Sequence, residues 1–174
     1  EDYVPREQIF CDDNGTFFQD NDERAIFFAR GVLETVKKLR WAPDIIHCQG
    51  WISHLVPVYL KKAYKDDPIF ASSKIVLSLY DDTPEADFSQ DFAQKACFGP
   101  VVKEDVSLLE KATGINLART AVQYSDGVIL GSGDVKEDIV SYARQLGLPL
   151  LPYNGEALEN GAYVDDYCAF YDKI

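Results

Sequence analysis

The amino-acid sequence predicts an α/β protein with a Rossmann-like, three-layer α/β/α fold on a mainly parallel sheet, helices covering both faces. Three observations carry this. Short apolar runs containing β-branched residues, at Ile45–His47, Ile75–Tyr80 and Gly127–Leu130, are each bounded by turn residues, as buried parallel strands are. Stretches with helical spacing of apolar residues separate them, and strands alternating with helices imply βαβ crossovers. A chain of 174 residues, 47% hydrophobic and 26% charged, can bury one ordinary core, so residues 1–174 read as a single domain.

Taken in order, residues 1–19 are polar, with a turn at Asp12-Asp13-Asn14-Gly15. Asp20 and Glu23 form a capping-box-like start for a helix running to about Arg40, with Phe28, Val32, Val36 and Leu39 as its apolar stripe. Pro43 and Asp44 punctuate before the first strand, and Gly50 ends it. From Trp51 a second helix is expected, burying Leu55, Val56, Tyr59, Leu60 and Ala63. Pro57 places its start nearby, with Ser53 as N-cap. Lys65–Pro68 is a loop, and a short helix is expected within 88–96 of an otherwise irregular stretch. Asn116 caps a helix ending near Tyr124; another begins near Asp134 and stops at Gly147, ahead of Pro149. Leu148–Tyr153 is a fourth, short strand, and Val164–Lys173 a closing helix. Its Tyr163, Tyr167, Phe170 and Tyr171 are spaced as a packing stripe rather than a ligand-stacking platform.

Charge and cysteine usage narrow the function. Seventeen Lys and Arg against 29 Asp and Glu give a net charge of −12, which argues against nucleic acid as a partner. No apolar run approaches the roughly 20 residues of a membrane span, so no membrane partner is expected. Cys11, Cys48, Cys97 and Cys168 lack any C-x-x-C spacing and read as reduced, buried thiols of a cytoplasmic protein, with no metal site. The pairs Asp12-Asp13, Asp66-Asp67 and Asp165-Asp166 read as solvated turns and caps rather than magnesium sites; Asp81-Asp82, at a strand end, keeps functional weight. Gly131-Ser132-Gly133 reads as a helix-start turn rather than a phosphate cradle. No Met occurs anywhere, the first position included, and the chain reads as a piece of a longer polypeptide.

In open α/β sheets ligands bind at the carboxyl ends of strands. The stretch Asp44–Leu60 supplies such an end, with both histidines of the chain, His47 and His54, inside it. Small-ligand recognition needs a few convergent polar groups beside an aromatic or apolar wall. Gln49, Gly50 and Trp51 offer an amide, an approachable backbone and an indole; Ser53, Tyr80 and Asp81 add hydrogen-bonding groups at the same edge. The competing expectation is that Gln49 and Ser53 cap the helix while Trp51 packs inside. His47, at the strand end, reads as a core histidine.

The same stretch, Asp44-Ile-Ile-His-Cys-Gln-Gly-Trp-Ile-Ser-His-Leu-Val-Pro-Val-Tyr-Leu60, resembles the His-x-His-Asp-Trp-(His/Gln)-x-x-Leu-x-Pro-x-Tyr-Leu segment of bacterial glycogen synthases and plant starch synthases. Three further stretches are similar to that family in order and spacing: Asp20-Asn21-Asp22-Glu23-Arg24 with the aromatic run to Arg30, Lys74–Asp81, and Ala121–Ser132. The resemblance covers roughly residues 9–147. It implies half of a glycosyltransferase-B fold, most of the acceptor-side domain, and transfer of glucose from ADP-glucose to an α-1,4-glucan. The family's first βαβ unit with its Lys-x-Gly-Gly loop, and its nucleotide-sugar domain, have no counterpart in these residues.

The family histidine that contacts the transferred sugar aligns with Ile52, which can neither donate a hydrogen bond nor shuttle a proton. His54 falls two residues later, about 200° further around a helix. The resemblance therefore assigns no catalytic residue, metal or cofactor here. It leaves two expectations: a synthase portion inactive by itself, or a non-catalytic domain binding glucan or another partner. α-Glucan and nucleotide-sugar are the ligands it suggests.

Overall fold

The computed structural model describes residues 9–174, so residues 1–8 of the expected polar opening lie outside the described residues. The apolar runs form β1 (Ile45–Gln49), β2 (Lys74–Leu79), β3 (Gly127–Leu130) and β4 (Leu150–Leu151). They pair in the order β1-β2-β3-β4, all parallel, with Ile46 opposite Ile75, Leu77 opposite Val128 and Ile129 opposite Leu151. Each crossover thus steps in one direction. Because crossovers are right-handed, their helices fall on one face.

Alternation along the strands separates two cores. Cys48, Ile75, Leu77, Leu79 and Val128 point into the larger one. It is covered by α1 (Asn21–Leu39), α2 (Val56–Lys62), α4 (Gly114–Gln123) and α5 (Glu137–Gln145), with the short α3 (Phe92–Ala96) and a 3₁₀ segment (Lys103–Glu110). Val76 and Ile129 point the other way, onto Phe170, Tyr167 and Tyr171 of α7 (Tyr163–Tyr171). Both faces are covered as expected, the second by α7. No described helix is long and apolar enough to cross a membrane.

Several boundaries and one whole face differ from expectation. In α1 the buried side is Asp22, Ala25, Ala29 and Leu33, while Phe28, Val32 and Leu39 are exposed. Two buried polar anchors set that rotation. Asn21 donates to the Phe10 carbonyl at 2.8 Å, and the fully buried Asp22 carboxylate accepts from Lys95 at 3.1 Å and from the Ser89 hydroxyl. An unpaired buried carboxylate is far costlier than an exposed Val, so the charge outranks the larger apolar stripe. Asp20 is the N-cap residue but makes no side-chain cap hydrogen bond.

Ser53 is not a helix cap: Trp51–Ser53 is a single 3₁₀ turn, and α2 starts at Val56 with Pro57 in its first turn. Thr113, in extended conformation, caps α4 by accepting from the Asn116 amide at 3.2 Å, which displaces the expected Asn116 cap. The helix expected from Asp134 begins at Glu137, and Gly147 (φ +69°) follows its end as anticipated. The fourth strand shortens to two residues. The next residues form α6 (Gly155–Asn160), which carries no stripe long enough to be read from sequence and depends on Asn154 accepting from the Ala157 amide. Of the four free cysteines only Cys48 is buried; Cys11 and Cys97 are half-buried and Cys168 exposed, which corrects the expectation of four core thiols. Burial pushes the Cys48 thiol up to about 12, leaving it unreactive.

Candidate functional site

Parallel register places Gln49 opposite Ser78, so the turns following β1 and β2 leave the sheet side by side. At Gly50 the backbone takes φ +75°, a left-handed value that a side chain would strain. That turn aims the Trp51 amide at the neighbouring strand end, where it donates to Asp82 Oδ2 at 2.8 Å. The Ser53 hydroxyl donates back to the Gly50 carbonyl at 2.8 Å. The two strand ends are thereby clasped by one carboxylate.

Of the six residues expected to gather here, the structure brings four to the edge. Gln49 and Asp81 are exposed, Gly50 forms the turn, and Tyr80 is half-buried. Tyr80 lies across the end of β3: a Cβ on Gly131 would clash with its ring, so glycine there is what lets the ring span two strand ends. Trp51 and Ser53 turn inward instead, each 5% exposed. The indole is held by Phe10, Phe17 and Phe88, with ring centroids at 4.6, 5.7 and 5.6 Å. It is a core group, as the competing expectation had it. Asp82, the clasp, was legible only as half of a strand-end Asp-Asp pair; nothing local distinguishes it from Asp81.

His47 is a half-buried histidine with both nitrogens occupied. Ser78 Oγ lies 2.6 Å from Nε2 and Tyr171 Oη lies 2.8 Å from Nδ1. Hydroxyls can donate or accept, so a neutral imidazole satisfies both contacts in either tautomer. Burial lowers its pKa, favouring that neutral form. His54 is different: it is fully enclosed, neither nitrogen has a partner among the described residues, and burial drives its pKa down to about 3. Ile52 is half-buried against the main core.

The Asp20–Arg24 stretch opens α1. Its Asp22 joins α1 to α3 through Lys95, which also meets Glu23 at 3.1 Å and Asp91 at 3.3 Å. Burial alone would lower the Lys95 pKa, but these carboxylates outweigh it and hold the ammonium above its ordinary range. Among the described residues no group of three His, Cys, Asp or Glu side chains could hold a metal ion.

Removing the clasp should loosen this corner measurably. Asp82→Ala leaves the Trp51 amide without its acceptor, and we expect a loss of about 1 kcal/mol in chemical denaturation. A stability unchanged from the parent chain would mean that the carboxylate does not hold the turn.

Comparison with known proteins supplies the remaining observations. The family described as starch synthase catalytic domain matches residues 1–152. A glycogen synthase of Clostridium perfringens is 31% identical over 158 residues, covering 90% of this chain and 31% of that protein. One from Chlorobium luteolum is 36% identical over 129 residues, covering 72% of this chain and 25% of its own length. Among solved structures, the catalytic domain of starch synthase IV from Arabidopsis thaliana, bound to ADP and acarbose, superposes with a TM-score of 0.59 at 17% identity. That match covers 79% of this chain and 31% of the plant one. The chain therefore spans less than a third of the length of these relatives.

Proposed function

The chain belongs to the starch synthase catalytic domain family, and from that premise we propose that it is the larger part of the acceptor-side domain of a glycogen or starch synthase. In this reading the complete protein transfers glucose from ADP-glucose to an α-1,4-glucan. Residues 1–174 bind the glucan without completing the transfer by themselves. The observation that carries the reading is the agreement of four motifs, in order and spacing, across the matched residues. The exposed Gln49 and Asp81 and the half-buried Gly50 and Tyr80 stand at adjacent carboxyl ends, where this class of sheet binds ligands. The plant relative's bound ADP and acarbose suggest the ligand classes, a nucleotide and a glucan-like sugar.

A second reading, a domain that binds glucan without catalysis, is favoured by Ile52. Where the resemblance sets a histidine against the sugar, this chain has a half-buried hydrocarbon. Nothing at that position can donate a hydrogen bond to the substrate.

Both parts are testable on the 174-residue chain. Titration with a maltooligosaccharide should move the amide resonances of Gln49, Gly50, Tyr80 and Asp81. Incubation with labelled ADP-glucose and glycogen should transfer no more label than a heat-killed control. Turnover would overturn the inactivity, and glucan-induced shifts that avoid those four residues would overturn the site.

A further inference from the structure

Most of the large apolar side chains left exposed among the described residues gather at two places, on opposite faces of the sheet. One is the outer side of α1. Phe28, Val32 and Leu39 lie within about 40° of one another around its axis and form a stripe about 16 Å long. Trp41 continues the stripe past the helix end, with 64% of its surface exposed. Single exposed hydrophobic side chains are ordinary, whereas a contiguous set rimmed by charge marks an interaction surface. The other place is the outer side of α6 and α7, where Leu158, Tyr163 and Val164 are exposed. The inner side of α7 packs, with Phe170 buried and Tyr171 bonded to His47, and this turns Val164, Asp165 and Asp172 to solvent. The two surfaces carry opposite charge. Residues 27–41 hold four Lys and Arg against Glu34 alone, and residues 153–174 hold five Asp and Glu against Lys173 alone. Lys38 and Arg40 are exposed beside Leu39 and Trp41. Asp165 and Asp172, seven residues apart, form one ridge of α7.

We propose that the outer face of α1 docks on the outer face of α6 and α7 of a second copy of this chain, so that the protein associates head to tail. The α1 stripe and the Leu158, Tyr163 and Val164 surface supply the apolar burial. Lys38 and Arg40, set against Asp165 and Asp172, supply the charge match that fixes the partner and its register. The nine residues of α7 span about 13 Å, close to the length of the stripe they would cover. Charge selects this arrangement. Two copies at −12 each repel, so contact is favoured only where the basic face meets an acidic one. Pairing α1 with α1 would instead leave like net charge on both sides of the contact. Because the two surfaces lie on opposite faces of the sheet, one copy cannot bring its own pair together. The contact is therefore heterologous and builds rings or open chains rather than a simple two-fold dimer. It uses none of Gln49, Gly50, Tyr80 and Asp81 and does not depend on the glucan reading.

Sedimentation velocity of the 174-residue chain over a concentration series tests this. The parent chain should self-associate reversibly and less so at high salt, and Trp41 should lose accessibility to acrylamide as concentration rises. Lys38→Glu with Arg40→Glu, and separately Asp165→Lys with Asp172→Lys, should each weaken association about tenfold or more. Mixing the two variants should restore it, because the unchanged α1 of one then meets the unchanged α7 of the other. All four positions are exposed. Asp165→Asn with Asp172→Asn preserves shape and should weaken association in the same direction, which decides the matter even where charge reversal disturbs α7. A parent chain that stays monomeric at its highest soluble concentration would overturn the proposal, as would reversed variants that associate like the parent. Loss in both variants without recovery on mixing would overturn it as well. Sensitivity to the α1 pair alone would show that α1 meets a different surface, such as another α1, and would overturn the assignment to α6 and α7.

Discussion

Trp51→Ala should lower the unfolding free energy by about 3–5 kcal/mol, the range for deleting a buried large aromatic. The indole fills the space between Phe10, Phe17 and Phe88, and the small residue would leave most of it empty. For a domain whose total stability is of order 5–15 kcal/mol, that is enough to shift a denaturation midpoint drastically or to abolish folding at 37 °C. Trp51→Phe keeps a ring in place and should lose clearly less. The pair of substitutions also separates the two roles considered for this residue. A core tryptophan costs stability when removed; a tryptophan that walls a sugar site costs affinity and leaves the midpoint alone. A Trp51→Ala chain with a parental midpoint and lost maltooligosaccharide binding would therefore contradict the packing described here.

Acid should unfold this protein in a window set by His54. In the unfolded chain its imidazole accepts a proton near pH 6.5, but in the folded chain only near pH 3, because burial strips water from the charged form and no described residue partners it. Between those values the unfolded state binds more protons, so stability is fully present above pH 6.5 and falls as pH drops through the window. The slope approaches about 1.4 kcal/mol per pH unit from this one group. The lowered pKa of His47 acts in the same direction. His54→Leu removes the titrating group and replaces two orphaned nitrogens with hydrocarbon. It should flatten the slope between pH 6.5 and 5, above the main carboxylate range, and raise stability at neutral pH by about 1–3 kcal/mol. Equal slopes for the two chains in urea denaturation at pH 6.5, 6 and 5 would show that His54 is not buried neutral.

The strands and their common direction were legible from short range. Ile45–His47, Ile75–Tyr80 and Val128–Leu130 are apolar on both faces because both faces are covered, and turn residues mark their ends. The intervening helical periods then leave little choice but parallel crossovers. The location of the candidate site follows from that same reasoning, since β1 and β2 are consecutive, adjacent strands whose carboxyl ends must lie together. Gln49, Gly50, Tyr80 and Asp81 were expected at that shared edge for this reason, and the structure places them there. The α6 helix was not legible in this way, because a six-residue segment held by one asparagine cap leaves almost no periodic trace.

What periodicity alone determined is the existence and type of the strands and of the longer helices, and which strand ends share an edge. What only the tertiary structure decided is the rotation of each element about its own axis and the choice between neighbouring residues of one kind. The α1 sequence offers both a large apolar stripe through Phe28 and Val32 and a small one through Ala25 and Ala29. Burial of Asn21 and Asp22 against Phe10, Ser89 and Lys95, as many as 73 residues away in sequence, selects the small one. Trp51 goes inside because Phe10, Phe17 and Phe88 converge on it, and Asp82 rather than Asp81 clasps the turn because Gly50 aims the Trp51 amide there. Each of these outcomes depends on groups brought together from distant parts of the chain, and desolvation of polar atoms, which no local pattern records, decides among them.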